Sequence, residues 1–342
     1  MKIPRIKNVV HAIRRQHTRR KVLVRAAGKR RHLLSSKNPI RRADVLIKAP
    51  KCFRLVADED RDNVLEFVRD IREALSLNTT AVLDFAATEK LHSCGTLYFL
   101  ANIDILLRLH PGRLKCRRPK DPIVEQLFQH VGLFHKLGKK SNVAVTAENV
   151  VNWHYATGTD ASTSAFKALL VQHGEAMGGL VKRSALYDCM SEAVTNTKKH
   201  AYPSTEANPL PQWWMFSQAN SETLEVVICD LGIGIPKSLL QKPQMRDYFR
   251  KLLMVGRQSS HDKEMIKVAT STNRSSTGLE YRGKGLPQML EFIKQGTTGG
   301  FRAQSGHGVY LYNATTRIDK AKTFNHPIKG TLIQWTIQLN TQ

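Results

Sequence analysis

The sequence is poor in cysteine, poor in aromatic side chains and, over its first 43 residues, devoid of negative charge. Five cysteines (Cys52, Cys94, Cys116, Cys189, Cys229) stand far apart among 342 residues. Their odd number and wide spacing exclude a disulfide scaffold and any CxxC zinc or redox motif. Long hydrophobic runs are also missing. The longest apolar stretch, Thr96 to Leu107, contains Asn102 and Asp104 and falls short of a membrane span. No positively charged start leads into a long apolar segment, so no secretory signal is expected. Together these absences predict a non-membrane chain in the reducing cytoplasm.

What is abundant is positive charge. Lys and Arg number 53 against 28 Asp and Glu, a formal net charge of +25. Fifteen of those cations and no carboxylate fall between Met1 and Ala43, and the rest of the chain carries only about +10. Such asymmetry speaks to partners rather than fold. Residues 1–43 offer only short apolar patches, Val9–Val10 and Val22–Val24, which are too small for a core. They read as a basic arm that orders on an acidic partner, foremost a polyanion such as DNA or RNA. A solvated tail is the plainer reading. An Arg-rich, acid-free N-terminus also has the composition of a mitochondrial transit peptide.

The texture changes from Asp44 to about Val145. Val45–Ile47 and Phe53–Val56 read as strands. Apolar residues at Val64, Leu65, Phe67, Val68, Ile71 and Leu75 have helical spacing over Asp60–Leu75. Thr80–Phe85 reads as a buried strand, Gly95–Leu109 as a helix, Leu114–Arg117 as a strand and Pro122–Leu133 as a helix. Alternating strands and helices predict a small α/β layer domain over 44–145. Residues 146–160 read as a linker. His154 lies there, but no surrounding motif supports a phospho-accepting histidine.

Four segments of the C-terminal half carry the chemistry. In LYDCMSEAVTNTKKHAY (186–202), Glu192 and Asn196 lie four apart on one helical face, where a carboxylate and an amide oxygen can orient water and coordinate a hard cation. Lys199 and His200 follow one turn later, placing cations where phosphate or a helix C-terminus accepts them. The apolar strand Leu224–Cys229 runs into Asp230-Leu231-Gly232-Ile233-Gly234. There the glycines allow backbone to approach a flat ligand, and the aspartate can accept from an exocyclic amine. Tyr281-Arg282-Gly283-Lys284-Gly285-Leu286-Pro287 opens a helix, with amides and a positive dipole end suited to an anion. Gly330-Thr331 starts the last strand. Taken singly each segment is weak, for neither a P-loop nor GxGxxG is present. Their order is the signal.

That order resembles the GHKL ATP-binding fold shared by histidine kinases, type II topoisomerases, heat-shock chaperones and anti-sigma-factor kinases. EAVTNTKKHAY is similar to the anti-sigma kinase version of its asparagine box, DLGIGIP to its DxGxG box, RGKGL to its second glycine box and KGTLIQWTI to its closing strand. FRAQSGHGVYLYN resembles the family's paired strands near the end of the domain. The resemblance covers about residues 161–342 and implies a Bergerat-type domain binding ATP and Mg²⁺. Asn196 would ligate Mg²⁺ and Asp230 would read adenine. Gly232 and Gly234 would pass the base, while Lys284, Gly285 and Leu286 would offer amides to phosphate. Lys199 would sit near the phosphates and Thr331 would support the base pocket. Glu192 would be the catalytic base, and residues 237–282 the lid.

Residues 44–145 in turn resemble the STAS fold of anti-sigma-factor antagonists, through LDFAA, HSCGTLYFLANIDILLRL and PIVEQLFQHVGLFHKLG. Ser93 falls at that family's phosphorylatable position, although His92 replaces its aspartate. An N-cap of the following helix is the plainer role.

The expected fold is therefore α/β, an α+β sandwich with a basic arm (1–43), a STAS-like domain (44–145), a linker (146–160) and a GHKL ATP-binding domain (161–342). The STAS-like part would dock on the ATPase-like part, on a second copy or on another protein. A histidine-kinase dimerisation helix pair and a topoisomerase-type transducer domain are both missing from the sequence. Two functions remain. One is a regulatory ATP-binding protein with weak ATPase or Ser/Thr-kinase-like transfer. The other is a non-catalytic ATP-gated module that binds nucleic acid or assembles a complex.

Overall fold

A computed structural model describes residues 44–140, 143–159, 166–167, 170–171, 177, 180–203, 212–253, 261–271, 285–296 and 298–339. The basic arm and Lys284 lie outside these residues. Within them the chain is mixed α/β with one parallel and one antiparallel main sheet. No helix among the described residues is long and apolar enough to cross a membrane.

The N-terminal part forms β1 (Val45–Lys48), β2 (Cys52–Phe53), α1 (Asp58–Ser76), β3 (Ala81–Asp84), β4 (Lys90–Leu91), α2 (Ser93–Leu109), β5 (Leu114–Arg117), α3 (Pro122–His130) and α4 (Leu133–Lys136). The order β1-β3-β5 is parallel, as crossover helices α1 and α2 require. Val64, Phe67, Val68, Ile71 and Leu75 form the buried stripe of α1. Two expectations are corrected here. The strand expected over Phe53–Val56 is only Cys52–Phe53. The helix expected over Pro122–Leu133 breaks at Gly132, whose φ of 73° a helix cannot continue.

The C-terminal part begins with α5 (Glu148–Val151) and β6 (Trp153–Gly158) and continues with α6 (Leu180–Asn196) and a π-helical turn (Thr197–Ala201). Next come β7 (Trp213–Ala219), β8 (Thr223–Asp230), α7 (Gly234–Leu240), α8 (Pro243–Leu253), α9 (Asp262–Thr270), α10 (Gly285–Lys294), β9 (Gly300–Asn313) and β10 (Ile318–Gln338). Its strands pair antiparallel in the order β6-β7-β8-β10-β9. The stretch read as a linker therefore supplies an edge strand, β6, in register with β7 from Trp153 opposite Gln218 to Gly158 opposite Trp213. FRAQSGHGVYLYN is likewise one strand and not two. Its central Ser305–Gly308 is an irregularity in the pairing with β10, where Gly306 and Gly308 leave room for the start of α9. The His307 N–H donates to Asp262 Oδ2 at 2.8 Å there, so the glycines admit a helix instead of making a turn.

The five-stranded sheet is buried on both faces. Val226, Ile228, Ile333 and Trp335 face α6 and α10, with Met190, Met289 and Leu290 in the same cluster. Val227, Cys229, Trp214, Phe216 and Leu332 face the other way and share one apolar core with Phe53, Phe67, Phe99 and Phe128 of the N-terminal part. The docking expected between the two parts is thus made within this chain, through a common core.

Polar groups pin this seam. Asp104 of α2 accepts the Tyr155 hydroxyl at 2.6 Å and the Trp214 Nε1–H at 2.9 Å, and it pairs with Lys136 Nζ at 2.6 Å. Arg61 Nη2 donates to the His326 carbonyl at 2.8 Å and its guanidinium lies 4.2 Å from the Phe324 ring centre. Arg302 Nη2 donates to the Leu55 carbonyl at 2.6 Å. Burial lowers the pKa of Arg61 to about 10. Ser93 is not the N-cap, a position His92 occupies. The Ser93 hydroxyl is buried and donates to Glu225 Oε2 of β8 at 2.7 Å.

Removing Asp104 would leave three seam donors without their acceptor. We expect Asp104→Ala to lower unfolding free energy by about 3 kcal/mol in denaturant titration, and Asp104→Asn, which keeps one acceptor, by less. Equal stability of Asp104→Ala and wild type would show that the seam does not depend on this node.

Candidate functional site

The helix-covered face of the large sheet opens into a cleft. Ile228 and Asp230 of β8 and Thr331 and Ile333 of β10 form its floor, with Asp230 directly opposite Thr331 in the ladder. Asn196, Thr197, His200 and Ala201 form one wall, and Gly285, Leu286 and Met289 of α10 another. Ser238, Leu239 and Lys242 at the end of α7, Met245 of α8, and Val268 and Ala269 of α9 close over it. The cleft holds about 1020 Å³ of empty space, solvent at its mouth included.

Asp230 is the chemical centre of the floor. Only 6% of it is exposed. It accepts the Gly232 N–H at 2.9 Å and is also hydrogen-bonded by the backbone and hydroxyl of Thr331. Burial nevertheless raises its pKa to about 6, because these neutral donors only partly replace water and Asp230 forms no ion pair among the described residues. A buried carboxylate with a raised pKa on the floor of a cleft is a candidate ligand-binding group.

The wall is built by close backbone approach. α6 widens into the π-helical turn, so that the Ala201 carbonyl accepts the Ile233 N–H at 2.8 Å. A Cβ at Gly232 would sit 2.1 Å from that carbonyl oxygen, so no larger residue fits. Tyr202 buttresses the contact, its hydroxyl donating to the Gln212 carbonyl and accepting the Leu231 N–H, both at 3.0 Å. Burial pushes the Tyr202 phenol well above its usual pKa, so it stays protonated and able to donate.

Two basic side chains also reach the cleft. His200 and Lys242 line it, and the His200 pKa is lowered by burial, by Lys242 and by Lys199, in that order. Among the described residues, Asp230 is the one carboxylate in the lining. A lining that combines a buried acid with an imidazole and an ammonium suits a ligand that both donates hydrogen bonds and carries negative charge.

Of the residues singled out from sequence, the structure brings Asn196, Asp230, Gly234, Gly285, Leu286 and Thr331 together in the cleft lining. Gly232 lies behind it, packed on Ala201. Lys199 is exposed and off the lining. Glu192 is half-buried and also off the lining. Its carboxylate lies where a Cβ on Gly285 would strike it, at 2.2 Å, against the start of α10. Lys284 falls outside the described residues. Sequence reasoning missed Lys242, Met245, Val268 and Ala269, which reach the cleft only because α7, α8 and α9 fold over it. Their sole sequence signal was membership of the expected lid. No protein-family profile and no curated protein matches the chain.

A raised carboxylate pKa has a defined linkage sign. Between about 4 and 6 the folded state holds the Asp230 proton more tightly than the unfolded chain, so stability falls as pH rises through that window. We expect wild type to lose, relative to Asp230→Asn, on the order of 1–3 kcal/mol of unfolding free energy between pH 4 and pH 7. Parallel pH profiles for the two proteins would show an ordinary, solvated Asp230.

Proposed function

We propose that this chain is a regulatory protein of the GHKL class that binds ATP with Mg²⁺ in the cleft. The observation that carries this reading is the cleft's polarity. Asp230 is buried on the floor with no ion pair among the described residues, and His200 and Lys242 line the same cleft. An adenine amino group matches the first and a triphosphate the second. The residues present fit the nucleotide. Asp230, supported by Thr331, would accept from the exocyclic amine, and Gly232 and Gly234 would let backbone pass the base. Gly285 and Leu286 would offer amides to phosphate, with Lys284 beside them. Asn196 would be the protein's ligand to Mg²⁺. Among the described residues no group of three or more His, Cys, Asp and Glu side chains could hold a metal. Mg²⁺ would therefore depend largely on phosphate and water oxygens, as this cation ordinarily does beside nucleotides.

Bound ATP supplies a transferable γ-phosphate. Glu192 is the chain's candidate base, one helical turn before Asn196, and would reach an acceptor or water only by leaving Gly285. A STAS-type serine in the same chain is a poor acceptor in this arrangement. Ser93 bonds Glu225, and Glu225 points to the sheet face opposite Ile228 and Asp230. These two placements favour, as a second reading, a non-catalytic ATP-gated module whose ligand orders the helices over the cleft. In either case we assign the arm of residues 1–43 to a polyanion, DNA or RNA. Further protein partners or a second copy would be met through the STAS-like layer.

Calorimetry should show Mg·ATP binding by wild type and a loss of about 1–3 kcal/mol in Asp230→Ala. Asn196→Ala should lose the Mg²⁺-dependent part of the affinity. Glu192→Ala should bind normally while turning over about 10²–10⁴-fold more slowly if the chain is a kinase or ATPase. Absence of ADP and phosphoprotein in every preparation that binds ATP would select the gated module. Absence of ATP binding in wild type would end both readings.

His200 adds a pH signature. Its lowered pKa keeps it neutral in the free protein at pH 7 and above, whereas phosphate favours the imidazolium. ATP affinity should therefore tighten several-fold as pH falls from 8 to 6, and His200→Gln should flatten the profile. An unchanged profile in that variant would remove His200 from the phosphate end.

A further inference from the structure

Among the described residues, the three-stranded parallel sheet is covered on one face only. Its crossover helices α1 and α2 both lie on the side of Ile47, Ala81, Leu83, Leu114 and Cys116, all buried in the common core. Parallel sheets ordinarily carry helices on both faces. The outward face here presents two rows set by the strand register. Leu46, Val82 and Lys115 form one, and Lys48, Asp84 and Arg117 the other. Leu137–Lys139 rise beside β5 and turn this face into a cleft with about 890 Å³ of empty space, solvent at its mouth included.

The charge of this cleft is positive. Lys115, Arg117 and Lys139 line it with one carboxylate, Asp44, while Lys48 and Asp84 stand in the same outward strand row as Arg117. Lys115 pairs with Asp44 at 3.2 Å and Arg117 lies 3.7 Å from Asp84, yet both cations remain more than half exposed. Lys48 and Lys139 make no ion pair among the described residues, and Arg118 and Lys120 continue the run beyond β5. Weak, exposed pairs of this kind are exchanged readily for a denser anion. Among the described residues no aromatic side chain lines this cleft, so they offer no platform for base stacking. Cations along a shallow groove without stacking groups suit a phosphodiester backbone. In sequence, the 15 cations of residues 1–43 precede Asp44, which lines this cleft.

We propose that the open face of the parallel sheet is a nucleic-acid docking surface, engaged through the phosphate backbone and without base specificity. This goes beyond the nucleotide reading and does not depend on it. The bland account of the same cations is that they only keep an open sheet face from pairing with another chain.

The test uses the full chain and a fluorescein-labelled 24-nucleotide RNA of mixed sequence, with the matching DNA duplex as a second probe. Anisotropy is read across salt concentrations for wild type and for the Lys48→Gln/Lys115→Gln/Arg117→Gln variant. Removing three phosphate contacts should lower the slope of log K against log salt by about 2–3, with a loss of about tenfold or more in affinity near 0.1 M salt. Thermal melting checks folding. Should the triple variant not fold, Lys139→Gln lies outside the strands and should lower the slope by about 1. Unchanged slope and affinity in a folded variant would overturn the proposal. So would poly-glutamate binding as tightly as RNA at equal ionic strength and being lost in the same variant, which would make the face a site for an acidic protein.

Discussion

Asp104 receives donors from β6 and β7 of the large sheet while standing on a helix of the small one, beside Lys136 of the next layer. Everything else in the described fold rests on the seam it occupies. An antiparallel sheet with Trp214, Phe216, Val227, Cys229 and Leu332 on its second face cannot leave that face in water, and the N-terminal α/β layer is what covers it. The two parts are consequently not beads on a string. Arg61 and Arg302 reinforce this through backbone carbonyls instead of carboxylates, an arrangement that demands close fit because a buried guanidinium cannot shed its charge.

With one face of the sheet sealed, ligand chemistry is confined to the other. Strand alternation does the sorting: Asp230 and Ile228 point to the cleft, while Glu225, Val227 and Cys229 point to the seam. Ser93 and the cleft are thereby kept on opposite sides of one sheet. A change at the cleft can still reach the seam, because Thr331 beside Asp230 and Leu332 in the common core are consecutive residues of one strand. The floor is a hydrogen-bonded sheet, and the cover is made of the short helices α7, α8 and α9.

Much of the element pattern was legible in the sequence. The apolar stripe of α1, the buried strand β3 and the apolar β8 ending in Asp230 follow from periodicities of 3.6 and 2. What escaped were features with local signals pointing elsewhere. Trp153–Gly158 carries His154, Ala156 and Gly158 and reads as a connector, yet it is held as an edge strand by Phe216 against Trp153 and Tyr155. Ser305–Gly308 has a turn's composition, but the space its glycines leave is filled by α9. The π-helical turn at Thr197–Ala201 shows no sequence mark either. It depends on the Ala201 carbonyl meeting the Ile233 N–H.

By itself the sequence determined the order of the ligand-type segments, the uneven charge and the residue types able to meet an amine, a phosphate and a hard cation. These are properties of composition and spacing along one chain. Which of those residues share a cleft was decided only by the tertiary structure. Antiparallel pairing places Thr331 opposite Asp230, the helices over the sheet bring Lys242 beside His200, and packing of α6 on α10 turns Glu192 toward Gly285 and off the lining. The reason is physical. Local propensity acts within a few residues, whereas the direction a side chain finally faces is set by which apolar surfaces must leave water together.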